Sequence, residues 1–74
     1  MMALSTVKTG TSAKVTCLQT TDEAIIRRLM IMGVVPGISL TLEQRFPSYI
    51  IKLGRSRASL DHETAHIIYL EDDK

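Results

Sequence analysis

The chain has 74 residues, of which 45% are hydrophobic, with a net charge of +1 and a single cysteine. That length fills one core and leaves little material for a second domain or for a deep catalytic cavity, while the hydrophobic content excludes a disordered chain, which stays unfolded through low hydrophobicity and high net charge. Cys17 has no partner for an internal disulfide and suits a reducing compartment.

The longest apolar run, Leu29 to Val35, has seven residues, against the roughly twenty that a membrane-spanning helix needs. No secretory signal opens the sequence, so a cytosolic location is expected. Charge is unevenly spread. Residues 24–57 carry Arg27, Arg28, Arg45, Lys52, Arg55 and Arg57 against Glu43, a net of +5, and residues 58–74 carry Asp61, Glu63, Glu71, Asp72 and Asp73 against Lys74, a net of −4.

In chain order, residues 1–11 show little periodicity and predict a partly ordered arm that ends in a turn at Thr9-Gly10-Thr11. From Ser12 to Leu18, Ala13, Val15 and Cys17 alternate with polar residues, the period of a half-buried strand, which places Cys17 inward. Thr20 and Glu23 have the spacing of a capping box and predict a helix start. Ile25, Ile26, Leu29, Met30 and Met32 then form one wide apolar stripe, with Arg27 and Arg28 on the other side. Gly33 is the natural left-handed cap, Pro36 blocks continuation, and Pro36-Gly37 suits a type II turn.

Alternation from Ile38 to Phe46 predicts a long strand. Pro47-Ser48 connects it to a strand at Tyr49 to Leu53, and Gly54 leads to another ending at Leu60, which makes a three-strand meander. Asp61 caps a helical turn through Ala65, Ile67 to Leu70 forms the last strand, and the acidic residues 72–74 are expected to fray. Five short strands without repeated strand-helix-strand alternation exclude a parallel sheet and predict a small antiparallel barrel with closed edges.

Residues Arg27 to Gly37, Arg-Arg-Leu-Met-Ile-Met-Gly-Val-Val-Pro-Gly, resemble the FeoA family signature R-R-L-x-x-[LM]-G-[LV]-x-P-G. The resemblance extends from residue 4 to residue 71 through Gly54, Ala58-Ser59-Leu60, Ala65 and Ile67-Ile68. It implies a single SH3-like barrel over residues 1–74 with one short helix after the first strand and a helical turn before the last. It also implies a non-enzymatic cytosolic accessory of FeoB, the membrane ferrous-iron transporter with its own GTP-binding domain, reaching the membrane only through that partner and leaving room for weak self-association. Two departures are visible: the family often has a longer Gly-Asp-Pro loop where this chain has Pro47-Ser48, and a basic residue where it has Asp61. A related barrel forms the C-terminal domain of iron-dependent transcriptional repressors, and a metal-dependent or repressor-like module of transcription regulation is the alternative reading; a stand-alone barrel, without a DNA-binding helix pair before it, is expected.

Seven successive apolar residues cannot all face inward on a 3.6-residue period. Leu29 is expected to anchor the helix in the core, and Met32, Val34 and Val35 to present an apolar edge flanked by Arg27 and Arg28. These six residues make the expected partner-binding set; the competing arrangement has residues 1–9 covering the edge. His62 and His66 stand four apart, a spacing at which two imidazoles reach one metal. A site needs three or four ligands, so surface histidines are expected, with no metal and no cofactor. One Phe, two Tyr and no Trp leave too few stacking surfaces for nucleic acid, and the glycines answer to turns and caps, so no phosphate loop is present.

Overall fold

Residues 1–71 are described by the structure, a computed structural model; the frayed tail expected at residues 72–74 lies outside the described residues. The fold is mostly β. Strands β1 (Met2–Ala3), β2 (Ser12–Leu18), β3 (Ser39–Gln44), β4 (Tyr49–Leu53), β5 (Ser56–Leu60) and β6 (Ile68–Leu70) form one antiparallel sheet in the order β1-β6-β2-β3-β4-β5. Helix α1 (Glu23–Met32) follows β2, and α2 (His62–Ile67) precedes β6.

β2 organises the sheet because its two halves pair with different strands. Ser12, Ala13 and Lys14 face β3, whereas Val15, Cys17 and Leu18 face β6. Between Val15 and Cys17 the register slips against β6, a bulge that leaves Thr16 unmatched and bends the strand. The same slip breaks the alternation: Val15 is buried, but Cys17 is only half-buried, contrary to its expected inward position, with Sγ 3.8 Å from Met1 Sδ and 3.4 Å from Gln19 Nε2.

The expected closed barrel is corrected. β1 and β5 end the sheet and do not pair with each other, and β1 has only two residues. The first residues are also more ordered than the expected arm. Met2 and Ala3 pair with Leu70 and Tyr69, Leu4–Thr6 form a 3-10 turn beside α2 and β6, and Ala3, Leu4, Ser5 and Val7 are buried. These residues have no helical or strand period, yet Leu4 and Val7 fill the core. The turn at Gly10, with φ +96°, is held to β3 by the Gly10 N–H on the Leu42 carbonyl at 2.6 Å.

α1 begins two residues later than a capping box from Thr20 requires. Asp22 is the N-cap, its Oδ1 accepting from the Ala24 N–H at 3.0 Å, and Thr20 Oγ1 instead accepts from the Asp22 N–H. Gly33 ends the helix at φ +94° as expected. The Gly33 N–H reaches the Met30 carbonyl at 3.0 Å and the Val34 N–H the Leu29 carbonyl at 2.8 Å, a closure that brings the residue after the glycine back against the last turn. The type II turn follows, with Gly37 at φ +96° and the Ile38 N–H on the Val35 carbonyl at 3.2 Å.

β3 stops at Gln44, short of the expected Phe46, because the register against β4 slips between Leu42 and Gln44. Leu40 and Leu42 stay in the core, but Phe46 lies beyond the strand and is 86% exposed. The meander of β3, β4 and β5 is otherwise as expected, and Leu40, Leu42, Ile51 and Leu60 join Leu29, Val34 and Ile68 in one cluster.

Candidate functional site: a cleft between the first helix and the edge strand

The C-terminal closure of α1 decides which residues of the apolar run reach the surface. Leu29 and Val34 both have no exposed area. Val34 is therefore a core residue, not part of an exposed edge: the hydrogen bond from its N–H to the Leu29 carbonyl folds it under the helix, where an apolar residue after the glycine cap packs against the turn it closes. Leu29 anchors the helix as expected and offers no surface to a partner. Met32 and Val35 are half-buried. The exposed apolar residues are Met30, at 57%, and Ile31, at 80%. The apolar stripe read from the sequence places Met30 inward and does not include Ile31, so both depart from it. The signal was present: with Leu29 inward, Ile31 lies about 200° around the helix from it and must face away.

Arg27 and Arg28 are exposed on α1. Arg28 Nη2 donates to Thr64 Oγ1 at 3.4 Å, linking α1 to α2. Beneath it lies a cleft of about 300 Å³ lined by Arg28 and Met32 from α1, Ser59 and Leu60 from β5, and Asp61 and Thr64 at the start of α2. Two expected site residues, Arg28 and Met32, therefore meet in one cleft; Arg27 and Val35 do not line it. Its β5 and α2 walls come from residues distant in sequence, with no local pattern to announce them.

Asp61 caps α2 through its Oδ1, which accepts from the Thr64 N–H at 2.9 Å. Hydrogen bonds from the Thr64 side chain and backbone, with the nearby Arg28 charge, hold its carboxyl below the usual carboxylate range. A fixed charge pair lies on the sheet, between β5 and β3. Arg57 Nε donates to Glu43 Oε1 at 2.6 Å across β4; that bond lowers the Glu43 pKa and raises that of Arg57.

The two histidines have structural partners. His62 Nδ1 lies 3.0 Å from the Tyr49 hydroxyl and His66 Nδ1 3.0 Å from Ser5 Oγ, with the rings nearly parallel and their centroids 6.2 Å apart. Arg45 Nη2 donates to the Ser5 carbonyl at 2.9 Å. The pair thus ties α2 to β4 and to the N-terminal segment. Among the described residues no group of three or more His, Cys, Asp or Glu side chains is placed to hold a metal, and no helix is long and apolar enough to cross a membrane.

An antiparallel six-stranded sheet with one helix after β2 and a second before β6 defines a small SH3-like domain. The FeoA domain model matches residues 2–72, and the chain belongs to that family. Among solved structures it is similar to FeoA of Stenotrophomonas maltophilia complexed with zinc, described as an SH3 domain protein (27% identity, TM-score 0.82, covering 96% of this chain and 91% of that one). It is also similar in fold to an iron uptake regulatory protein, FeoA (20% identity, TM-score 0.86, covering 95% and 93%). The same fold recurs in T. acidophilum IdeR at 14% identity and TM-score 0.90, where this chain covers 97% of itself but only 34% of that protein. No curated protein sequence matches the chain.

Proposed function

We propose that this chain is a non-catalytic cytosolic accessory of a FeoB-type ferrous iron transporter, which it regulates by docking. The observation that carries the reading is the FeoA family match over residues 2–72. The solved relative from Stenotrophomonas maltophilia is described as possibly acting as a ferrous iron transport activating factor, and a role in ferrous iron transport extends to this chain by family. Docking is the mode favoured by the surface: Met30 and Ile31 are exposed beside Arg27 and Arg28, with Met32 and Val35 half-buried next to them. A flexible methionine beside an aliphatic residue and two cations suits a protein surface better than a small ligand. No metal enters this function, and the membrane is reached through the transporter.

Retention of the transporter from detergent-solubilised membranes by the tagged chain tests the reading. Ile31→Asp, at a site 80% exposed, should keep the fold and weaken retention. Failure of the unaltered chain to retain the transporter overturns the proposal. The likeness of fold to IdeR favours a second reading, a module of transcription regulation. A mobility shift on genomic DNA fragments without transporter retention would support that reading instead.

A further inference from the structure

β5 ends the sheet. β4 pairs with one side of it, and among the described residues no strand pairs with the other. The hairpin between them turns on Gly54-Arg55, with Gly54 at φ +62° and no positive φ at Arg55, a two-residue connection closed by Leu53 and Ser56. Antiparallel pairs alternate between those that exchange hydrogen bonds and those that do not. Counting from the closing pair, Ser56, Ala58 and Leu60 bond inward to β4, and the N–H and C=O groups of Arg57 and Ser59 point to the open edge. Both residues are exposed. The other edge, β1, is two residues long and offers no comparable ladder.

Beyond the C-terminal half of this edge lies the cleft of about 300 Å³, with Ser59 and Leu60 on one wall and Arg28 and Met32 on the other. An added strand sends alternate side chains to opposite faces, so one of its side chains would enter this space. The edge is basic. Arg55 stands at the hairpin tip, Lys52 is directly opposite Arg57 in the register, and Arg28 overlooks the cleft. Of the acidic groups nearby, Glu43 offsets Arg57 in an ion pair and Asp61, in the same cleft as Arg28, offsets part of its charge, so Lys52 and Arg55 carry the positive surplus. Pairing of two β5 edges would bring like charges together, which disfavours self-association through this edge; a strand of opposite charge meets no such penalty.

We propose that the β5 edge receives an extended acidic segment of the partner protein by strand addition, bonded through the backbone groups of Arg57 and Ser59, with an acidic side chain facing Arg28 and an apolar one against Met32. This deepens the docking reading above and rests on it. Main-chain pairing supplies affinity and the cleft supplies selectivity, the division of labour usual when a peptide extends a sheet.

The full chain, labelled with nitrogen-15, is titrated with an acetylated peptide of alternating Glu and Val and with its Lys and Val counterpart. The Glu-Val peptide should shift the Arg57 and Ser59 amides and slow their hydrogen exchange, and the binding should weaken as salt rises. Ser59→Pro removes one outward N–H at an edge position that tolerates proline, and Arg28→Glu reverses the cleft charge; each should weaken binding by about tenfold or more. Amide spectra confirm that each variant is folded. Equal binding of both peptides, shifts confined to Met30 and Ile31, or sedimentation showing a dimer through β5 would overturn the inference. Transporter retention separates the two levels: retention by the chain that is undiminished in Ser59→Pro and Arg28→Glu sinks strand addition and leaves docking intact, whereas no retention by the unaltered chain sinks the docking reading itself.

Discussion

Leu29→Ala and Ile31→Ala, two residues apart in one apolar run, should differ in stability by most of what a core residue contributes. Leu29 has no exposed surface, and Ile31 is 80% exposed. Truncating Leu29 removes Cγ and both Cδ methyls; at about 0.8 kcal/mol per buried carbon group the transfer loss is about 2.4 kcal/mol. The void left in the cluster with Val34 and Leu42 brings the cost to about 3 kcal/mol. A chain of this length has a total stability of about 4–11 kcal/mol, so the loss is a large fraction of the whole. With a urea slope of about 1 kcal/mol/M the unfolding midpoint falls by about 3 M, and the melting temperature by about 12–24 °C. Ile31→Ala should stay within about 0.5 kcal/mol of the parent, since alanine's better helix propensity offsets the little packing that is lost. Urea unfolding followed by far-ultraviolet circular dichroism reads both. Midpoints of the two variants that agree within about 0.5 M would refute the placement of the helix on the core.

Gly33→Ala meets no neighbouring atom within 4 Å but keeps φ +94°; thermal melting should show a loss of about 1–2 kcal/mol from backbone conformation alone. Deleting residues 1–7 removes buried Leu4 and Val7 and should cost about 3 kcal/mol or more, which would be seen as a fall of the urea midpoint by about 3 M or more. Asp61 has a folded pKa held below its unfolded value by the Thr64 hydrogen bonds and Arg28. Its contribution to stability is therefore fully present above about pH 4 and lost as pH falls through the depressed value. Asp61→Asn, which retains a cap, should flatten the acid limb of a plot of melting temperature against pH, and an unchanged limb would contradict the assignment. In NMR titration, Arg57→Ala should let the Glu43 carboxyl titrate at higher pH than in the parent, since the bond from Arg57 is the main cause of its lowered value.

Features written in local pattern were legible in the sequence. β2 and the first part of β3 followed from period-two alternation, β4 from a short apolar run between Pro47-Ser48 and Gly54, α1 from its apolar stripe, and both ends of the turn after it from Gly33, Pro36 and Gly37, residues whose backbone preferences act without help from the rest of the fold. The family signature from Arg27 to Gly37 lay in the same stretch. The candidate site was legible only by half. Arg28 and Met32 could be named from the helix, but Ser59, Leu60, Asp61 and Thr64 join them through the sheet's turn back toward α1, a long-range arrangement that leaves no local period.

By itself the sequence determined a small, mostly β domain with one capped helix, because alternation, capping and turn residues act over a few neighbours. Tertiary structure alone decided which members of an unbroken apolar run are inside. Met30 and Ile31 emerge and Val34 is buried because the left-handed closure at Gly33 turns the chain back beneath α1. It also decided that Leu4 and Val7, aperiodic in sequence, complete the core, and that the sheet stays open, with β1 and β5 at its two edges. Burial is a property of what packs against a residue, and in these places the packing partners lie far along the chain.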